Sequence, residues 1–198
     1  MRVCFRLACA VVALVAATGA SSVAKAALCA EWSRATEIGR FDPEKIDESS
    51  GLAVSRRFDV LYHNNDSGTG PEFWVSQRDG SNARAVKIKD YVPKDPEEIA
   101  IGICPGEKKK TCLALADIGD NTERRKNVAI FFIEELEKFP SEVSPFGVAR
   151  FHYPDGSHDA EAMALLPNGD FVVVTKEGTL LRPTRPAGVY RARAVDVA

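Results

Sequence analysis

Apolar and polar positions alternate in short bursts along most of the chain, and no long helical stripe interrupts them. Val60-Leu61-Tyr62-His63, Phe73-Trp74-Val75-Ser76, Cys112-Leu113-Ala114-Leu115-Ala116, Val128-Ala129-Ile130-Phe131-Phe132-Ile133 and Phe171-Val172-Val173-Val174-Thr175 read as strands. They are short and rich in β-branched and aromatic side chains. Further runs occur at residues 83–89 and 148–153 and at Gly188-Val189-Tyr190-Arg191. Asp79-Gly80, Asp155-Gly156 and Asn168-Gly169 mark turns between them. The best helical stretch, residues 133–139, is too short to carry weight. The pattern predicts an all-β chain.

One motif precedes the strand runs three times. Glu48-Ser49-Ser50-Gly51-Leu52-Ala53, Asp95-Pro96-Glu97-Glu98-Ile99-Ala100 and Asp159-Ala160-Glu161-Ala162-Met163-Ala164 share an acid, then Glu or Ser two residues on, then an apolar residue and Ala. The leading acid recurs after 47 residues, from Glu48 to Asp95, and again after 64, from Asp95 to Asp159. About four short strands per repeat of this size predict β-propeller blades, with units near residues 47–92, 94–157 and 158–198. A β-sandwich also has many short strands, but it gives no reason for an acid motif to recur at the same place in each unit. Closed propellers have about four to eight blades. Three units therefore imply a partial ring or one shared between chains, and its open strand edges would favour self-association.

The first 26 residues have another character. Arg2 and Arg6 precede a run of small and apolar residues, and Ala24-Lys25-Ala26 has the form of a cleavage site. This is the layout of a secretory signal peptide, with residues 27–198 as the propeller domain. The expected location is periplasmic or secreted, with no membrane attachment once the leader is removed. Overall the chain carries 26 basic and 28 acidic residues; without Arg2, Arg6 and Lys25, 23 basic residues face the same 28 acids. That mild acidity excludes the basic footprint of a nucleic-acid binder. Cys104 and Cys112 flank Pro105-Gly106-Glu107-Lys108-Lys109-Lys110-Thr111, which reads as a hairpin loop. Opposed across it, they would form a disulfide in an oxidising compartment. Cys29 has no evident partner. The basic clusters 108–110 and 124–126 read as solvated loops.

Strand starts that converge on one axis would gather acids. Glu48, Asp95, Glu97, Asp159 and Glu161 occupy such positions, and Ser50 stands where Glu97 and Glu161 stand in the other repeats. Like charges that close need neutralising, and a divalent cation with oxygen ligands, calcium first, would do so. Taken singly, each acid reads better as a turn cap or a bond to a neighbouring backbone amide; only the aligned set points to a metal. Two oxygen-rich loops follow the second strands: His63-Asn64-Asn65-Asp66-Ser67-Gly68 and Asp117-Ile118-Gly119-Asp120-Asn121. Asp117 and Asp120 join the candidate ligands, although tight turns use the same residues. Unit three has Lys176 there, a cation suited to an anionic substrate or to balancing Glu161, although a solvated turn residue is the commoner case. His158, beside Asp159, and His63, beside Asn64, could each act as a general base, His158 being preferred, although each alone reads more readily as a hydrogen-bonded loop histidine. No nucleophile elbow, phosphate-binding loop, dinucleotide fingerprint or helical zinc motif occurs.

Together with Tyr153-Pro154-Asp155-Gly156, these motifs over about residues 44–191 resemble those of a group of uncharacterised secreted bacterial β-propeller proteins. Where that group has D-W-E-D, this chain has Asp95-Pro96-Glu97-Glu98, which keeps the first acid and the Glu. More distantly, the acid-led strands are similar to those of regucalcin, gluconolactonase and phytase-like propellers. That resemblance implies a channel cation and hydrolysis of small esters, lactones or phosphate esters. The alternative is a non-catalytic platform for a protein or glycan ligand.

Overall fold

Residues 33–176 and 189–192 are described in the computed structural model, and every regular element among them is a strand. The chain up to Thr36 forms a unit of its own, of which residues 33–36 are described, irregular and exposed. The expected leader and Cys29 lie outside the described residues.

From Glu37 onward the strands are, in chain order, β1 (Ser49–Val54), β2 (Val60–Asn65), β3 (Glu72–Gln77), β4 (Arg84–Ile88), β5 (Pro96–Cys104), β6 (Glu107–Asp117), β7 (Val128–Glu134), β8 (Glu142–Val143), β9 (Gly147–Phe151), β10 (Asp159–Leu165), β11 (Phe171–Lys176) and β12 (Val189–Ala192). They form three sheets, in the orders β1-β2-β3-β4-β8, β5-β6-β7-β9 and β10-β11-β12. Each is an antiparallel meander apart from β8, which joins β4 in parallel. Each sheet begins at one copy of the acid motif, as the repeat predicts.

The middle sheet is buried on both faces, which explains the unbroken apolar run in β6. Leu113 and Leu115 of β6, with Phe131 and Ile133 of β7, pack toward Tyr62, Phe73 and Val86 of the first sheet. Ala114, Ala116, Ile130 and Phe132 point the other way, toward Met163, Phe171 and Val173 of the third. Alternate residues of one strand thus serve two cores.

First strands of neighbouring sheets run close together where glycine removes a side chain. A Cβ on Gly51 of β1 would stand 2.3 Å from the Ile99 nitrogen of β5. One on Gly102 of β5 would stand 2.9 Å from Leu165 Cβ of β10.

Cys104 and Cys112 form the expected disulfide, with Cα atoms 4.9 Å apart. The loop between them is shorter than its sequence suggests. Cys104 pairs with Glu107 across a turn of Pro105 and Gly106, and Gly106 has φ 70°. Lys108, Lys109 and Lys110 therefore belong to β6, not to a loop. Lys110 Nζ meets Glu134 Oε2 at 2.8 Å and lies 5.5 Å from the Phe146 ring centroid. Strand pairing and these contacts override the loop-like composition. The weak helical stretch begins inside β7, whose pairing with β6 and β9 satisfies its backbone. Farther on, Phe139 packs edge-on against Tyr62 and Phe73, so that segment closes the first core.

Candidate metal centre

The recurring acid motif is a backbone device. In β5, Pro96 pairs with Asp117 and Glu98 with the next residue back, Ala116, which leaves Glu97 as an extra residue. In β10, Ala160 pairs with Thr175 and Ala162 with Val174, which leaves Glu161. β1 slips by one residue between Ser49 and Leu52, around Ser50. Each first strand thus bulges at its motif, and a bulge re-aims the side chain it releases.

The released side chains meet. Ser50 Oγ donates to the Glu97 main-chain oxygen at 2.7 Å and to Glu97 Oε2 at 3.3 Å. Carboxylate oxygens of Asp66, Asp95 and Glu97 lie within 4.8 Å of one another, and so do those of Glu97, Asp159 and Glu161. Glu97, only 4% exposed, belongs to both groups. Asn64 Nδ2 donates to the Pro96 oxygen at 3.0 Å, which fixes the residue before the bulge. Gly119 gives the acids room: a Cβ there would stand 2.4 Å from Glu97 Oε1 and 2.6 Å from Asp95 Oδ2.

Crowding shifts the proton affinities upward. Burial, then the charges of Glu161, Asp66 and Asp95, pushes the Glu97 carboxyl up to about 8, with Ser50 opposing. Asp95 is raised by burial and by Asp66 and Asp159, while Arg125 pulls the other way.

Asp117 and Asp120 have structural work. Asp117 accepts from Tyr91 Oη at 3.1 Å, from the Lys94 nitrogen at 2.9 Å and from the Asp95 nitrogen at 3.2 Å. Its Oδ1 also meets Arg125 Nη2 at 2.7 Å. Asp117 therefore anchors the segment that presents Asp95. Arg125 is mostly buried and donates further to the Gly119 and Asp117 main-chain oxygens at 2.6 and 3.1 Å. This corrects its reading as a solvated loop residue: a buried carboxylate draws the guanidinium inward. Asp120 Oδ2 accepts from the Arg125 nitrogen at 2.6 Å, and the Asp120 nitrogen donates to Asp159 Oδ1 at 2.7 Å.

In the third unit Lys176 balances charge, one of the readings its position allowed, and is not a merely solvated turn residue. Its Nζ bonds Glu161 and lies 3.0 Å from Asp159 Oδ2. Both acids hold its proton more tightly. Glu48 is exposed and belongs to neither acid group among the described residues. His158 is buried, with Nε2 2.9 Å from Asp155 Oδ1 and its ring edge-on to Tyr153. His63, also buried, stacks on Phe41, and burial lowers its pKa to about 4.

Asp66 is the ligand candidate that the repeat alignment passed over. It directly follows β2 as Lys176 closes β11, so the two occupy matching corners of their sheets. The oxygen-rich loop 63–68 carried the signal, but the bulge that brings Glu97 to it lies in the next repeat. No protein-family model matches the chain, and no curated protein aligns with it significantly.

Proposed function

We propose that the chain is an exported β-propeller module whose acid basin binds one divalent cation, calcium first, at Asp66, Asp95 and Glu97. The observation that carries this reading is the sharing of Glu97 by two groups of carboxylates. The donors are all oxygens, which suits a hard cation such as calcium or magnesium rather than zinc. Lys176 already offsets Asp159 and Glu161, which leaves the other group as the ion's place. The propeller reading rests on three successive meanders with adjoining first strands and one bulge motif. Export is consistent with the disulfide.

A bound cation would polarise an ester, lactone or phosphate oxygen, with His158 or a carboxylate activating water. The rival is a non-catalytic platform for a protein or glycan. It is favoured by the commitment of Asp117, Asp120, Asp159 and Glu161 to contacts within the chain.

Calorimetric titration of calcium chloride into chelator-treated protein tests the reading. One saturable site is expected, weakened at least about tenfold by Glu97→Gln. Wild-type affinity in a Glu97→Gln/Asp95→Asn double variant would overturn it. Ester turnover that stops with chelator would select the hydrolase over the platform.

A further inference from the structure

A cavity opens toward the other end of β5. Glu97 and Ile103 lie six positions apart on β5, about 20 Å along an extended strand, so this cavity is remote from the acid basin. It has a volume of about 340 Å³. Ile101 and Ile103 of β5, with Leu165 and Leu166 at the end of β10, give it aliphatic walls. Glu135, Arg56 and Arg57 supply its charge.

Glu135 is 2% exposed, and its two oxygens are treated differently. Oε1 accepts from Ser55 Oγ at 2.6 Å and from Tyr62 Oη at 3.2 Å. Oε2 is buried with no hydrogen-bond partner. Arg57 Nη1 lies 3.7 Å from it, beyond hydrogen-bond range; that side chain is half exposed, with its guanidinium carbon 5.0 Å from the Phe58 ring centroid. A buried carboxylate oxygen without a donor costs stability, and a ligand that brings one recovers it.

We propose that this cavity binds a free aliphatic α-amino acid. The ligand ammonium donates to Glu135 Oε2. Its carboxylate pairs with the Arg57 guanidinium, which is shaped for planar two-point contact. Its side chain lies on Ile101, Ile103 and Leu165. A cavity of this size stands near the lower end for small-molecule sites, which suits a ligand of amino-acid size. The site owes nothing to the cation proposed above.

The test uses the full chain in excess chelator, with L-leucine, N-acetyl-L-leucine and L-leucinamide as probes in calorimetry or saturation-transfer NMR. L-Leucine should bind saturably. N-Acetyl-L-leucine, which lacks the ammonium, should bind roughly tenfold more weakly or worse, the scale of one charge-assisted hydrogen bond. Arg57→Gln, at a half-exposed position, should weaken L-leucine several-fold and leave L-leucinamide unchanged. Glu135→Gln should weaken both; should that variant not fold, the acetylated probe and Arg57→Gln still decide. Glu97→Gln should leave L-leucine binding intact, which separates this site from the cation site. No saturable binding of L-leucine up to about 20 mM, or equal binding of the acetylated probe, would overturn the proposal.

Discussion

Gly119 faces Glu97 so closely that a Cβ on it would stand 2.4 Å from Glu97 Oε1. The loop after β6 thus reaches the bulge of β5 with bare backbone, and any side chain there must displace carboxylates. Gly119→Ala is expected to lower calcium affinity by at least about tenfold, with the far-ultraviolet dichroism unchanged. Unaltered affinity in that variant would separate Glu97 from the ion.

The Asp117–Arg125 pair makes the sharper stability prediction. Removing one partner of a buried pair strands the other charge. Arg125→Met should therefore destabilise by about 3–5 kcal/mol in urea unfolding. Arg124→Met, at an exposed neighbour, should stay within about 0.5 kcal/mol. Similar losses from both would mean that Asp117 does not depend on the guanidinium.

The pH dependence follows from Glu97. Its folded pKa, about 8, lies above the ordinary glutamate value of 4.5 that holds in the unfolded chain. The folded form therefore holds a proton that the unfolded form has released. The resulting stabilisation is full below the unfolded value and is lost as pH rises through the folded one. Without calcium, the stability of the protein should decline across that window, and Glu97→Gln should flatten the decline. With calcium, affinity should climb over the same range, because the ion displaces the proton. Affinity independent of pH between about 5 and 8 would contradict this coupling.

The Cys104–Cys112 bridge spans a sequence separation of 8. Closing so short a loop restricts the unfolded chain modestly, so a Cys104→Ser/Cys112→Ser double variant should lose about 2–3 kcal/mol. Thermal unfolding checks it. A variant that never folds would show that the turn itself needs the bond.

The strands were the most legible part of the sequence, because alternation and β-branched residues act locally. So were the recurring motif, the disulfide and the charge balance between Lys176 and Glu161. The short β8 was not visible, since two residues carry no period. It follows Phe139, which packs on Phe73 of the first core, and pairs with β4 of the same sheet. The span of β6 was misjudged because three lysines resemble a loop, while cross-strand pairing and Glu134 hold them extended. In the candidate site, the motif located Glu97 and Glu161 but not the reason for them. A bulge changes register against a partner strand, and the partner lies elsewhere in the chain. Asp66 and the inward turn of Arg125 were hidden for the same reason.

Ser50 Oγ reaches the Glu97 main-chain oxygen across 47 residues of chain, and the Asp120 nitrogen reaches Asp159 across 39. A centre stitched by such distant bonds cannot exist until neighbouring sheets have docked, and contacts of that kind form slowly. An ion held there would find little of its site in the folding transition state. It would leave the rate of folding nearly unchanged and retard unfolding, prolonging the life of the folded chain. Stopped-flow unfolding that calcium accelerates, or folding that it speeds, would show instead that the acids gather early.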